Sequence, residues 1–212
     1  MLIIFIISTG IHLYASWHQD KKLRDLSKPF ILLSLLGFYC FAAKQIETTV
    51  VLAILFSWFG DILLMGKGVK WFAIGGVSFM ISHIFYIISY LKYIDFSQIN
   101  TFAVIILPLL FFTVSTYIFY KLKEHLPKQL FYAMYLYLLI NGAMNCFAWY
   151  RSLCGFGPAQ LMTAIGAMLF YISDCSLFFV RFDKNSPLKT HFFVMLTYSI
   201  GELLIVLGLI MA

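Results

Sequence analysis

Two aspartates interrupt long apolar runs of this chain. Asp61 lies in Ser57-Trp58-Phe59-Gly60-Asp61-Ile62-Leu63-Leu64-Met65, and Asp174 lies in Phe170-Tyr171-Ile172-Ser173-Asp174. Two carboxyl groups facing one substrate can divide acid and base work. The protonated one donates, and the ionised one stabilises a cation or activates water. His83, in Ser82-His83-Ile84-Phe85-Tyr86, and Glu202, in Tyr198-Ser199-Ile200-Gly201-Glu202, also lie within apolar runs. Asn141 and Asn145 are neutral company. Other chemistries lack their signatures. No G-x-S-x-G nucleophile elbow is present. The four cysteines, Cys40, Cys146, Cys154 and Cys175, form no C-x-x-C, and no Cys/His set has metal spacing. This argues against serine-lipase and zinc-hydrolase mechanisms, and neither metal nor cofactor is expected. Cys146 and Cys154 read either as a pair or as small buried thiols.

The elements that must position these groups follow from composition. Of 212 residues, 62% are hydrophobic and 11% charged. A soluble domain is roughly half apolar and about a quarter charged. A chain of this size cannot hide so much apolar surface in its own core. That excludes a soluble enzyme, a disordered chain and a disulfide scaffold. The expectation is one all-α integral membrane domain over 1–212, a bundle of eight transmembrane helices. The apolar runs are about 1–17, 29–43, 48–65, 71–91, 101–120, 129–150, 159–180 and 190–212. Run 29–43 is short for a span of about 20 residues. It either thins the bilayer or borrows residues from Lys44–Thr48. The N-terminal run has no basic residue ahead of it and reads as a retained helix.

Charge fixes an orientation. Twelve of the 15 Lys and Arg residues fall in the odd-numbered loops, among them Lys21, Arg24, Lys28, Lys67, Lys70 and Arg181. Only Lys44, Lys92 and Arg151 fall in the even ones. Basic loops face the cytoplasm, so both termini are expected on the non-cytoplasmic side of a plasma membrane, the inner membrane in a bacterium. The net charge of +6 is then a topology signal, with no nucleic-acid partner implied.

In that frame Asp61 lies roughly 6 Å and Asp174 roughly 9 Å inside the same cytoplasmic end. His83 and Glu202 lie roughly 18 Å up their helices. Several pairs share a helix face at three- or four-residue spacing: Ser57 with Asp61, Tyr171 with Asp174, His83 with Tyr86, Tyr198 with Glu202. Ionisable residues inside a span are costly and point to function. For His83 and Glu202 an interhelical hydrogen bond is an equal reading, and for the two asparagines it is the stronger one. Gly75, Gly76, Gly142, Gly166 and Ala167 read as close helix contacts.

The strings Ser57-x-x-Gly60-Asp61-x-Leu63-Leu64-Met65, Ser82-His83-x-x-Tyr86, Gly166-Ala167-x-x-Phe170-x-x-Ser173-Asp174 and Tyr198-x-x-Gly201-Glu202 resemble the YhhN, or lysoplasmalogenase, family. The resemblance covers essentially the whole chain. It implies hydrolysis of the vinyl ether bond of lysoplasmalogens to a fatty aldehyde and glycerophosphoethanolamine or -choline. It implies no metal, and it makes Asp61 and Asp174 catalytic. Such an ether is cleaved by proton transfer to the alkenyl β-carbon, followed by water addition to the oxocarbenium ion. Asp174, deeper and beside Tyr171, is the expected acid; Asp61 stays ionised. Ser57, His83, Tyr86, Asn141, Tyr171, Ser173, Tyr198 and Glu202 are the expected substrate-binding set. The expected partners are the lysophospholipid and the bilayer. Lys67, Lys70 and Arg181 serve topology first, with a lipid phosphate as a second use. The competing reading is a small proton-coupled transporter using the same carboxylates. Only Pro108 lies deep within a run, so the paired broken helices of a transport site are missing.

Overall fold

The computed structural model of the protein describes residues 1–183 and 191–211. Its α-helices are α1 (Leu2–Trp17), α2 (Lys21–Ala42), α3 (Thr48–Leu64), α4 (Val69–Leu91), α5 (Thr101–Leu122), α6 (Phe131–Cys154), α7 (Pro158–Phe182) and α8 (Phe192–Ile210). Single 3-10 turns at Phe96–Gln98 and Lys128–Leu130 precede α5 and α6. Among the described residues, six helices are long and apolar enough to cross a membrane; α1 and α3 are apolar but have 16 and 17 residues. The outward sides are apolar too, as Ile3 (72% exposed) and Phe102 (70% exposed) show. α5 buries only Phe111, Ser115, Ile118 and Leu122 of its 22 residues.

α2 departs from the expected run 29–43. It begins eight residues earlier, at Lys21, and ends at Ala42 without borrowing from Lys44–Thr48. Asp20 starts it: its side chain accepts from the Leu23 N–H at 3.1 Å, a helix cap. Lys21 and Asp25 pair one turn apart. Pro29 sits inside the helix and removes one backbone bond. Trp58 of α3 donates to the Pro29 carbonyl at 2.9 Å and ties the two helices there. The buried His12 of α1 bonds Ser27 of α2 at 3.0 Å. Lys21, Arg24 and Lys28 thus belong to a helix face, not to a loop.

Arg151 is likewise helical, in the last turn of α6, and only 1% exposed. Its guanidinium donates to Thr163 of α7 at 2.5 Å and to the Gly208 carbonyl of α8 at 3.1 Å. All four cysteines are free; Cys154 lies 3.2 Å from the Asp95 carbonyl.

Small residues set the closest helix approaches, as apolar bundles require. A Cβ on Gly166 would lie 2.6 Å from the Gly201 carbonyl oxygen, so α7 and α8 meet backbone to backbone. A Cβ on Gly60 would lie 2.6 Å from the Phe79 ring, which seats α4 against α3. Gly75 is also packed, 3.0 Å from Leu64. Gly76 is not: a Cβ there would meet nothing within 4 Å. The expected helix contact at Gly76 is absent.

At the end away from the two aspartates, Glu47 joins three helices. Its carboxylate accepts from Lys92 at 2.7 Å and from Tyr93, and its N–H donates to the Tyr39 hydroxyl of α2 at 3.0 Å. Partial burial would raise the pKa of this carboxyl. The bonds from Lys92 and Tyr93 outweigh burial and hold it below the usual range. Glu47→Gln is expected to cost less than ~1 kcal/mol at neutral pH, the scale of exposed pairs. A depressed folded pKa adds stability above the unfolded value and loses it as pH falls. The difference in thermal midpoint between wild type and variant therefore closes below about pH 4; a difference that widens there contradicts the clasp.

Candidate active site

Asp61 sits one turn before the end of α3, and Asp174 lies two turns before the end of α7. Both border one cavity of about 240 Å³ at the end of the bundle where α2, α4 and α8 begin. Its apolar walls include Leu64, Phe72, Phe79 and Leu177. Lys21, Arg24, Lys28, Lys67, Arg181 and His191 give it a basic mouth, against which Asp25 is the one further acid among the lining residues. Lys70 does not reach it. Burial first, then the charges of Arg24, Lys28 and Arg181, push the His191 imidazole down to about 4. The mouth therefore presents a positive field to anything that enters.

The two carboxyls are held differently. Asp61 is engaged through both oxygens. Lys28 of α2 lies 3.0 Å from Oδ1, and the Tyr198 hydroxyl of α8 donates to Oδ2 at 2.9 Å. A cation this close offsets part of the cost of burying a carboxylate. Asp174 receives its donors on one oxygen only. Tyr137 and Asn141 of α6 donate to Oδ2 at 2.5 and 2.7 Å, and His83 Nε2 of α4 stands 3.5 Å away. No described residue donates to Oδ1 of Asp174. The partners are two neutral donors and a histidine, and none of them is a lysine or arginine.

The predicted site residues fall into three groups. Asp61, Asp174, Ser173 and Tyr198 line the cavity. His83 and Asn141 stand behind Asp174, fully buried, with Asn145 donating to Asn141 at 3.3 Å. Deeper still, Tyr86 donates to Glu202 at 2.6 Å, and Ser57 bonds Ser82 at 2.8 Å. These form a polar layer beyond the cavity wall. Tyr171 goes elsewhere: its hydroxyl bonds Ser115 of α5 at 2.7 Å, so it is not the neighbour of the Asp174 carboxyl.

Two residues at the site were not among the expected set. Lys28 reads as loop charge until α2 is extended back to its Asp20 cap; then Lys21, Arg24 and Lys28 share a face at spacings of three and four. Tyr137 lies four residues before Asn141, one turn away on the same face, which is the signal that finds it.

Lys28→Met leaves the Asp61 carboxylate without its cation. The expected loss is below the ~3–5 kcal/mol of a fully buried broken pair, because Lys28 borders an open cavity. Adding Asp61→Asn restores most of it. Thermal melts of both single variants and the double variant in one detergent check the cycle; a double variant no more stable than Lys28→Met contradicts the pairing.

Among curated proteins and among solved structures, no match to this chain was found. The family comparison is positive and long: the YhhN family matches residues 23–209, from the first turn of α2 to the last turn of α8. That span contains both aspartates and every residue that bonds to them, and it shows that the chain belongs to the YhhN family.

Proposed function

We propose that the protein is an intramembrane hydrolase that cleaves the vinyl ether bond of lysoplasmalogens. The observation that carries this reading is the asymmetry of the pair. Asp61 is neutralised by Lys28, while Asp174 keeps one oxygen free, both at one cavity with a basic mouth. The reaction needs a proton donor beside carbon, a negative group beside the resulting cation, and one water. Asp174 gives its proton to the alkenyl β-carbon, and the π pair forms the new C–H bond. Positive charge is left on the carbon bonded to oxygen and is shared with that oxygen. The Asp61 carboxylate faces this oxocarbenium ion, as the second carboxyl of a glycosidase does. Water adds to the cationic carbon and gives up a proton to the Asp174 carboxylate. The hemiacetal then breaks its C–O bond as its hydroxyl proton passes to the departing glycerol oxygen, releasing fatty aldehyde and the glycerophospho product.

The architecture suits an amphiphile. The phosphate meets the basic mouth, where Lys67 and Arg181 now join Lys28 as candidate contacts. Ser173 and Tyr198 are placed to orient glycerol hydroxyls or water, and His83, Asn141, Tyr86, Glu202 and Ser57 support them from behind. In this reading all eight helices cross the plasma membrane with the basic end cytoplasmic and both termini opposite. A second reading, a proton-coupled transporter, draws on Glu202, a fully buried carboxyl deep in the bundle. Proton flux into liposomes carrying the pure protein separates the two.

Aldehyde release from a lysoplasmalogen by the detergent-purified protein tests the proposal. Wild type turns over, and folded Asp61→Asn and Asp174→Asn each lose at least ~100-fold, the scale of a missing acid or base. Substantial activity in both variants overturns the pair mechanism.

A further inference from the structure

A second, smaller opening of about 20 Å³ adjoins the cavity and shares Leu64, Phe72, Phe79 and Leu177 with it. Phe72, Gly76 and Phe79 of α4 form one side, and Leu177 and Phe178 of α7 the other. Asp174 and Tyr137 stand at the slot as its polar residues. Asp174 also borders the main cavity, so one carboxyl touches both spaces. The first space is ringed with cations, and the second is walled by hydrocarbon. An amphiphile laid across Asp174 would have its charged end in one and its chain in the other.

Gly76 borders the slot without being packed against anything. Its neighbour Gly75 is packed against Leu64 and the Gly60 carbonyl, at 3.0 and 3.3 Å from a built Cβ. Gly76 has no such reason to lack a side chain, because a Cβ there meets nothing within 4 Å. Its backbone gives no reason either: the positive-φ glycine of the described residues is Gly68. Glycine is the least favourable helix-interior residue after proline. At position 76 the fold carries that disadvantage without a packing or turn requirement.

The chemistry selects the same side. The proton acceptor in vinyl ether cleavage is a carbon of the chain itself, the second from the ether oxygen. The acid must therefore lie beside the tail, and the third carbon onward must continue past it. We propose that the slot at Gly76 is the passage by which the alkenyl tail leaves the Asp174 carboxyl between α4 and α7, and that Gly76 sets the chain length accepted. The inference rests on the vinyl ether reading of the site. Phe72 and Phe178 meet edge to face at 6.0 Å and form one aromatic wall of the passage, and the methylene groups that pass Gly76 contribute binding in proportion to apolar area buried.

The test uses the full-length protein in nanodiscs, with Gly76→Ala, Gly76→Leu and, as control, Val77→Leu on the exposed side of α4. Two readouts run on the same chain-length series, from butyl to octadecyl. One is kcat/KM for alkenyl lysolipids, and the other is binding of the saturated alkyl ethers, which cannot be hydrolysed by this route. Gly76→Leu is expected to lose roughly tenfold in both for long chains, the effect of about two methylene groups excluded, and under about twofold for butyl chains. Gly76→Ala falls between, and Val77→Leu matches wild type. Equal changes at every chain length, or none, overturn the slot. If wild type releases no aldehyde yet binds alkyl ethers with a chain-length dependence that Gly76→Leu removes, the hydrolase reading fails and the tail passage stands. Binding that ignores chain length in wild type removes the passage whatever the turnover.

Discussion

A carboxylate in the apolar interior of a helix bundle is tolerated only when donors and cations surround it. Asp61 and Asp174 impose that condition on nearly every helix. α2 supplies Lys28, α8 Tyr198, α6 Tyr137 and Asn141, and α4 His83. The groups that suit chemistry are therefore also cross-braces. The site and the bundle form one object, and neither carboxyl can be changed without releasing polar groups on a neighbouring helix.

The braces reach their targets because helix separations are set by glycine. Gly166 against Gly201 brings α7 and α8 together, which places Asp174 and Tyr198 on one unit. Gly60 against Phe79 does the same for α3 and α4, which carry Asp61 and His83. The cavity opens between these two units, with α2 closing its rim through the Trp58 bond to Pro29. Position in the fold also gives the two acids different surroundings. The one near the positive mouth is neutralised by it, and the one facing α6 meets neutral donors.

Much of this was legible in the residues. Long apolar runs gave helices, and two aspartates inside such runs stood out as costly there. Their common end of the bundle followed from counting turns. What was not legible had local causes. Hydropathy ends a run where charge begins, so the first two turns of α2 looked like loop, and Lys28 went with them. Asp20 as cap was the overriding signal. Tyr171 and Asp174 lie one turn apart, but that spacing puts Cβ atoms on adjacent lines and does not fix where a long ring points. Its hydroxyl found Ser115 on α5 instead. Tyr137 was one tyrosine among 13, indistinguishable by type from an interfacial anchor. Gly75 and Gly76 are adjacent and identical, and only the packing around them shows that one is filled and the other empty.

The two shortest helices have a consequence at a larger scale. α1 and α3, at 16 and 17 residues, measure roughly 24 and 26 Å along their axes. A typical hydrocarbon layer is about 30 Å thick. Across a membrane, such helices are met by local thinning, at a fraction of a kcal/mol for each ångström of mismatch. One of the two, α3, carries Asp61. In a bilayer spanned by all eight helices, hydrocarbon thickness would act directly on the segment that carries Asp61.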